Sequence, residues 1–333
     1  MAFARGAVVP WIVATALVGG TLAIAGVTFL QETPSGVGDP LPVHVVLQAE
    51  ADGRVSRPAA EAGDAGFPGK AGPPLVLDAA LFETTSHGFV PTIAPDGRRP
   101  GDVFRRRAPR SPAPRVGLLL VEIGLDEKAS ARALTGSAAL TLVVSPYAPR
   151  AGSWNRSARW AGHETLLELP TRPSRFPLDE RGPLALEPDG ASALDRILAR
   201  GIGYLGVCLE AGSFEAAPGS FGPIAAALAR RGLALVELDA DALEPVARRH
   251  GLTYLGGVQP IDRDPSPTAI DESLEALRSR AVANGSAVGY GRPFEITLDR
   301  IAQWSARLAS QGVSLVGIGE LLEEPRETIG GVR

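Results

Sequence analysis

The sequence predicts an α/β domain built on a parallel sheet, reached from the amino terminus through an apolar segment and a breaker-rich stretch. Three observations predict it. Short, nearly continuous apolar runs recur from Val116 onward, the pattern of strands buried on both faces. Stretches with apolar residues at helical spacing separate those runs. Gly201, Gly232, Gly251, Gly285 and Gly312 each follow a helical stretch, where a left-handed residue ends a helix at little cost.

Bulk composition agrees with this reading. The 333 residues are 45% hydrophobic and 21% charged, as in ordinary globular proteins, with room for one large domain plus extensions. The formal net charge is -4, and no basic run is interleaved with aromatic residues. No nucleic-acid partner is therefore expected, since phosphate binding needs a surplus of Lys and Arg on one face. Cys208 is the single cysteine and lies in the apolar run Tyr204–Leu209. It reads as a small buried hydrophobe rather than a reactive thiol.

Taken in order, residues 1–7 form a cytoplasmic stub and residues 8–30 a transmembrane anchor. Val8 to Leu30 carries no charge, and about 20 apolar residues suffice to cross a bilayer. A cleaved signal would have an apolar core of only about 7–15 residues. Arg5 precedes the segment while Glu32 and Asp39 follow it, which keeps the positive flank inside. The expected location is the inner membrane, single-pass, with the C-terminal domain in the periplasm.

Residues 31–114 read as a linker, mostly irregular and rich in Pro, Gly, Ala and Arg. Leu41–Gln48 is a candidate short strand, Leu75–Phe82 a short apolar segment, and Ile93–Pro100 turn chemistry. Arg105–Arg107, followed by Pro109, Pro112 and Pro114, reads as a solvated, extended joint. The domain spans residues 115–322, and 323–333 form a tail.

Within the domain, strands are predicted at Val116–Val121, Leu140–Val144, Thr165–Leu169, Tyr204–Cys208, Leu233–Leu238, Ala287–Gly289 and Val313–Ile318, with a weaker run at Thr253–Leu255. Helical spacing appears in Ile270, Leu274 and Leu277, and in Leu298, Ile301 and Leu308 around Trp304. Ile197 and Leu198, Ile224 and Leu228, and Leu243, Val246 and Ala247 mark three more helices, and Ser130–Leu134 opens another. Such units build either an open doubly wound sheet or a closed (β/α) barrel, and periodicity leaves both open. In both, function belongs at the carboxyl ends of the strands.

Residues just past those strand ends form a candidate site. Glu122 follows the first strand, Glu168 ends the third with His163 just before it, and Glu210 ends the fourth. Asp239 follows the fifth, and Tyr290 and Arg292 end the last but one. Paired carboxylates serve as acid and base when their surroundings split their pKa values, and carboxylates with a His can hold a divalent cation. Solvated loop-end charge is the competing reading. No Cys/His cluster has zinc spacing, no phosphate loop follows a strand, and no G-x-S-x-G elbow is present.

Several blocks resemble the divergent polysaccharide deacetylases. Arg115–Leu125 is similar to that family's opening strand, which ends in Asp-Asp-Leu-Gly, and Ser145–Pro149 to its second strand ending. Ala161–Pro170 resembles its Gly-His-Glu block, with Pro173 closing a Pro-x-x-Pro. Gly206-Val207 and Gly212–Phe214 resemble its fourth-strand loop, and Gly285–Gly289 with Arg292-Pro293 its late turn. The resemblance implies a distorted (β/α) barrel of seven or eight units.

It also implies a metal-dependent site from which this sequence departs. Family members use an Asp pair, one as base and one on a metal held by two His. Here those Asp positions are Val121 and Glu122, and the late-turn residue, often His, is Arg292. His163 matches the family block, and Glu168 fills a position that is sometimes His.

The expectation is a catalytically degenerate, membrane-anchored periplasmic domain that binds envelope glycan or scaffolds a cell-wall enzyme, with residues 8–30 in the membrane. Remnant catalytic candidates are Glu122, His163 and Glu168. Substrate-binding candidates are Glu210, Asp239, Tyr290 and Arg292. No cofactor is expected. The alternative is an active metal-dependent deacetylase or hydrolase using Glu122, His163, Glu168 and Glu210, with Glu122 and His163 on a divalent metal.

Overall fold

The computed structural model describes residues 77–106, 112–171, 191–210, 214 and 217–322, and two short strands that pair antiparallel, β1 (Gln48–Ala49) and β2 (Val55–Ser56). The predicted anchor 8–30, the tail 323–333 and most of the predicted strand Leu41–Gln48 lie outside the described residues. Among the described residues, no helix is long and apolar enough to cross a membrane.

Seven parallel strands close into a barrel. They are β5 (Arg115–Ile123), β6 (Thr141–Val144), β7 (Glu164–Glu168), β8 (Gly206–Glu210), β9 (Ala234–Leu238), β10 (Thr253–Pro260) and β11 (Ser286–Gly291). Each pairs with the next, and β11 returns to β5 with Ser286 opposite Arg115 and Gly291 opposite Leu120. That last pairing excludes the open sheet. A short strand, β12 (Ser314–Val316), lies against Arg115–Gly117, below the stretch of β5 (Leu119–Ile123) that pairs with β6.

The two-residue period of strands sorts their side chains. Leu119 and Val121, Val143, Leu166, Cys208, Val236 and Leu238, and Tyr290 share one interior cluster. The intervening residues face the helices. Leu118, Leu120, Leu142 and Val144 pack with Trp154, Leu274, Leu277 and Trp304. Leu167, Val207, Leu209 and Leu235 pack with Ile197, Ile224, Leu228 and Val246.

Those helices are α2 (Glu127–Ala133), α3 (Ala151–Trp160), α4 (Ala191–Leu198), α5 (Gly222–Arg230), α6 (Glu244–Arg249), α7 (Pro267–Asn284) and α8 (Glu295–Leu308). Asp126 caps α2 by accepting from Ala129 N at 2.7 Å. Ser266 caps α7, with Pro267 in its first turn. Gly285, at φ 80°, ends α7 and leads directly into β11.

The amino end of the barrel is sealed by sequence expected to be linker. Residues 77–106 form a hairpin, β3 (Phe82–Thr85) and β4 (Gly88–Pro91), then the short helix α1 (Pro100–Val103). Arg231 holds the hairpin through Glu83 at 2.6 Å and the Pro91 carbonyl at 3.0 Å, and it reaches Asp195 of α4 at 2.9 Å. Elements of four residues are too short to show a period, so composition alone read this stretch as irregular.

Glu164, the first residue of β7, is the keystone of that end. Its buried carboxylate accepts from the backbone N–H of Arg106 at 2.7 Å and of Gly319, in α9 (Ile318–Leu322), at 2.8 Å. A Cβ at Gly317 or Gly319 would stand 2.5 or 2.6 Å from that carboxylate, so glycine is required at both. Burial pushes the Glu164 carboxyl above its ordinary value, against the pull of its donors.

Candidate functional site

At the opposite, carboxyl end the strands terminate in charge. Two of the three non-glycine residues with positive φ among the described residues stand here, Glu122 at 62° and Asp239 at 60°. Such conformations are costly for a residue with a Cβ and persist only where the surroundings enforce them. At Glu122 the register between β5 and β6 shifts between Leu120 and Ile123. Gly124, at φ 96°, then lets the chain pass Ala148 and Trp154, where a Cβ would lie 2.5 and 2.8 Å away. Its N–H donates to Ser130 Oγ at 2.8 Å. At Asp239 a bulge in β10 does the same work. Asp239 N–H donates to the Val258 carbonyl at 2.9 Å, and Gly257 N–H to the Ala240 carbonyl at 2.7 Å.

Each carboxylate meets a donor from the end of β11. Arg292 Nε donates to Glu122 Oε1 at 2.8 Å, with the two side chains 33% and 39% exposed and so within reach of a ligand. The Tyr290 hydroxyl donates to Asp239 Oδ2 at 2.8 Å, and Arg263 Nη2 reaches Asp239 Oδ1 at 3.1 Å. Buried Asp262 fixes the turn between them, accepting from Arg292 N–H at 2.7 Å and from Thr297 Oγ1 at 3.0 Å. Glu210 lies within the field of this group.

The electrostatics follow from that crowding. Burial pushes the Glu210 carboxyl up, Asp239 and Glu122 push it further, and Arg292 and Arg263 oppose them. Burial and the hydrogen bond to Asp239 raise the Tyr290 phenol far above its ordinary value, so it acts as a donor at any physiological pH. Burial is the strongest single influence on Arg292 and works against its charge, but the bond to Glu122 and the negative charges of Glu122 and Asp262 together outweigh it and the guanidinium is held charged.

The structure gathers Glu122, Glu210, Asp239, Tyr290 and Arg292 at this mouth, with half-buried Glu168 ending the adjacent β7, opposite Cys208 in register. His163 is not among them, contrary to its expected place as a remnant catalytic or metal residue. It precedes β7, at the amino end, and is 2% exposed. Its Nδ1 and Nε2 lie 3.0 and 3.2 Å from the carbonyls of Leu140 and Leu134. The Gly-His-Glu block enters the strand rather than leaving it, so both His163 and Glu164 serve the sealed end.

Asp262 and Arg263 belong to the mouth and escaped the sequence reading. The run Thr253–Leu255 hid a strand that continues through the Gly256-Gly257 bulge to Pro260. The polar step Asp262-Arg263-Asp264 after the apolar Ile261 was the available signal.

This donor set does not suit a divalent ion. The one carboxylate at the end of β5 is engaged by a guanidinium, and the imidazole is at the far end of the barrel. Among the described residues, no three His, Cys, Asp or Glu side chains are grouped to hold a metal. A catalytic cation needs about three protein ligands and an open position.

Cys208 sits below Glu168 and Glu210 in the interior and is 1% exposed. Burial, then those two carboxylates, push its thiol well up. A disulfide-exchange reagent is expected to titrate no thiol in the folded chain and the full complement once denaturant is added. Labelling without denaturant would show that the interior opens.

Comparison with known proteins agrees with this architecture. A crystal structure of an uncharacterised protein from Agrobacterium tumefaciens C58 superposes with a TM-score of 0.66 at 26% identity, covering 70% of this chain and 98% of that one. A protein of Enterococcus faecalis V583, assigned by name to cellobiose-phosphate cleavage, gives 0.45 at 11% identity over 63% and 99% of the two chains. A mutant of a CE4 family pseudoenzyme with restored enzymatic activity gives 0.37 at 14% identity over 64% and 68%. The last two likenesses are too weak to carry an argument. A search of curated proteins found no match. A family model described as divergent polysaccharide deacetylase matches residues 119–322, which run from mid-β5 through α9. The chain therefore belongs to the divergent polysaccharide deacetylase family.

Proposed function

We propose that the barrel mouth binds a glycan of the cell envelope without metal-dependent deacetylation, presented outside the inner membrane by an anchor at residues 8–30. The observation that carries this reading is the ion pair between Glu122 and Arg292. In the family a metal-ligating acid and a general base stand at this strand end, whereas here the acid is neutralised by a fixed cation. The neighbouring position is Val121, buried in the barrel interior at 7% exposure, and valine accepts no proton. Activated water needs both a cation and a base within hydrogen-bond reach.

What remains is suited to recognition. Arg292 and Arg263 offer guanidinium donors, while Glu122, Asp239 and Glu210 offer acceptors, all at one rim. Sugar hydroxyls are donors and acceptors together, and hydrogen bonds to charged groups contribute about 1.5–3 kcal/mol each.

The test uses the full chain purified in detergent micelles and titrated with chitotetraose in a calorimeter, with zinc content and acetate release followed in parallel. Saturable binding, zinc far below one ion per chain and no acetate are expected. Stoichiometric zinc with acetate release lost in Glu122→Gln would replace this reading with that of an active deacetylase. Absence of any glycan binding would leave a docking or tethering role.

A further inference from the structure

The chain holds two asparagines, Asn155 and Asn284, in opposite surroundings. Asn155 is buried in α3, its Oδ1 accepts from Ile202 N–H at 3.2 Å, and the long side chain of Arg156 follows it. Asn284 is exposed at the last position of α7 and precedes Gly285, also exposed, at φ 80°. A Cβ at Gly285 would meet nothing within 4 Å, so this backbone stands in open space. The N–H that follows α3, α5 or α6 donates back into its helix, whereas Gly285 N–H makes no such bond. The Gly285 carbonyl is engaged, accepting from Arg115 N–H at 2.9 Å beside the first rung between β11 and β5. Asp96-Gly97, a comparable step, is tied down. Its Gly97 N–H donates to the Ala94 carbonyl at 2.8 Å, and Arg98 holds the carboxylate.

We propose that Asn284 is a self-modification site, at which the chain deamidates without an enzyme to aspartate and isoaspartate. The nucleophile is the Gly285 backbone nitrogen, which gives its proton to hydroxide and attacks Asn284 Cγ. The N–Cγ bond forms and the Cγ–Nδ2 bond breaks. The side-chain nitrogen takes a proton back from water and leaves as ammonia. The product is a five-membered cyclic imide, and water then opens either of its ring C–N bonds. Opening at Cγ gives aspartate. Opening at the backbone carbonyl carbon gives isoaspartate, whose main chain runs through Cγ. Glycine leaves the attacking nitrogen unhindered and its backbone free to turn. The last residue of a helix frays more easily than its interior, and here no hydrogen bond has to break to free the nitrogen.

Either product places a carboxylate at the negative end of the α7 dipole, where anions are unfavourable. Isoaspartate also lengthens the backbone just before Gly285, whose carbonyl must meet Arg115 N–H. Buried Leu277 and Ala281 fix α7 against the barrel. The added length therefore falls on the start of β11 and weakens its pairing with β5.

The test follows the full chain in detergent micelles, fresh and after long incubation in mildly alkaline buffer at physiological temperature. Trypsin releases residues 281–300 as one peptide, because Pro293 blocks cleavage after Arg292, and Asn284 carries the only side-chain amide in it. That peptide is expected to gain the mass difference between an amide and an acid and to split into two chromatographic forms. Peptide 151–156, which carries Asn155, should stay unchanged. The thermal midpoint of the aged chain should fall by about 2–4 °C. Asn284→Gln, which would need a slower six-membered closure, should keep both its mass and its midpoint. An unchanged peptide 281–300, under conditions where a synthetic copy of it converts, overturns the proposal. Conversion with no fall in midpoint overturns the effect on the β11–β5 pairing. An equal fall in aged Asn284→Gln overturns that effect too, since the damage then lies elsewhere.

Discussion

Replacing Glu164 by alanine is expected to destabilise the chain by about 2–5 kcal/mol, the cost of leaving two buried backbone donors without acceptors. The carboxylate joins the Arg106 and Gly319 N–H groups beneath the barrel, so its loss loosens α9 and the segment after α1 together. For a domain of this size that corresponds to about 2–4 °C in Tm per kcal/mol. The change has a pH signature. Burial raises the Glu164 carboxyl in the folded chain, so the folded state holds a proton that the unfolded state has released. The resulting stability is fully present below the ordinary carboxylate pKa and is lost as pH rises through the elevated folded value. Urea unfolding of wild type and variant across the acidic range reads both effects. The variant should be weaker throughout and flatter in that window, and equal midpoints would remove Glu164 from its assigned role.

Replacing Arg292 by alanine is expected to weaken chitotetraose binding about 10- to 100-fold, the equivalent of losing one or two hydrogen bonds to a charged group. The same change strips Glu122 of its partner and Glu210 of the stronger of the two cations that hold its carboxyl down. The Glu210 carboxyl, already raised by burial and by Asp239, then rises further, so proton uptake at the mouth moves to higher pH. Calorimetric titrations at several pH values measure affinity and linked proton exchange together. Folding should be little affected, because the bond that Arg292 makes to Asp262 uses its backbone N–H and survives in alanine. Affinity equal to wild type would show that the guanidinium does not touch the ligand.

The fold was legible where burial is two-sided. β5, β6, β7 and β9 lie within a residue or two of their apolar runs, because strands covered on both faces are apolar without interruption. Legibility failed where polar groups are buried. Ser153, Asn155 and Ser157 are all buried in α3 beside Ala151, Trp154 and Ala158, so polar residues obscure that helix's apolar stripe and it was not anticipated. The run Val313–Ile318 broke into β12 and the first residue of α9, since hydrophobicity alone does not distinguish a strand from the helix that follows it. At the mouth, position after a strand found Glu122, Glu210 and Asp239. It misplaced His163, which stands at the amino end, because sequence adjacency to a strand does not say which end is meant.

The seam between Arg115–Leu120 and Ser286–Gly291 has a kinetic consequence. The two partners bracket nearly the whole domain, so the ring cannot shut until every intervening turn has been laid down. Contacts of such sequence separation are made late, after most of the chain entropy has been surrendered, which slows refolding. Until the seam forms, β5 and β11 each expose an unsatisfied edge capable of pairing with another copy. Aggregation during refolding, more than instability of the finished ring, is therefore the hazard this topology carries.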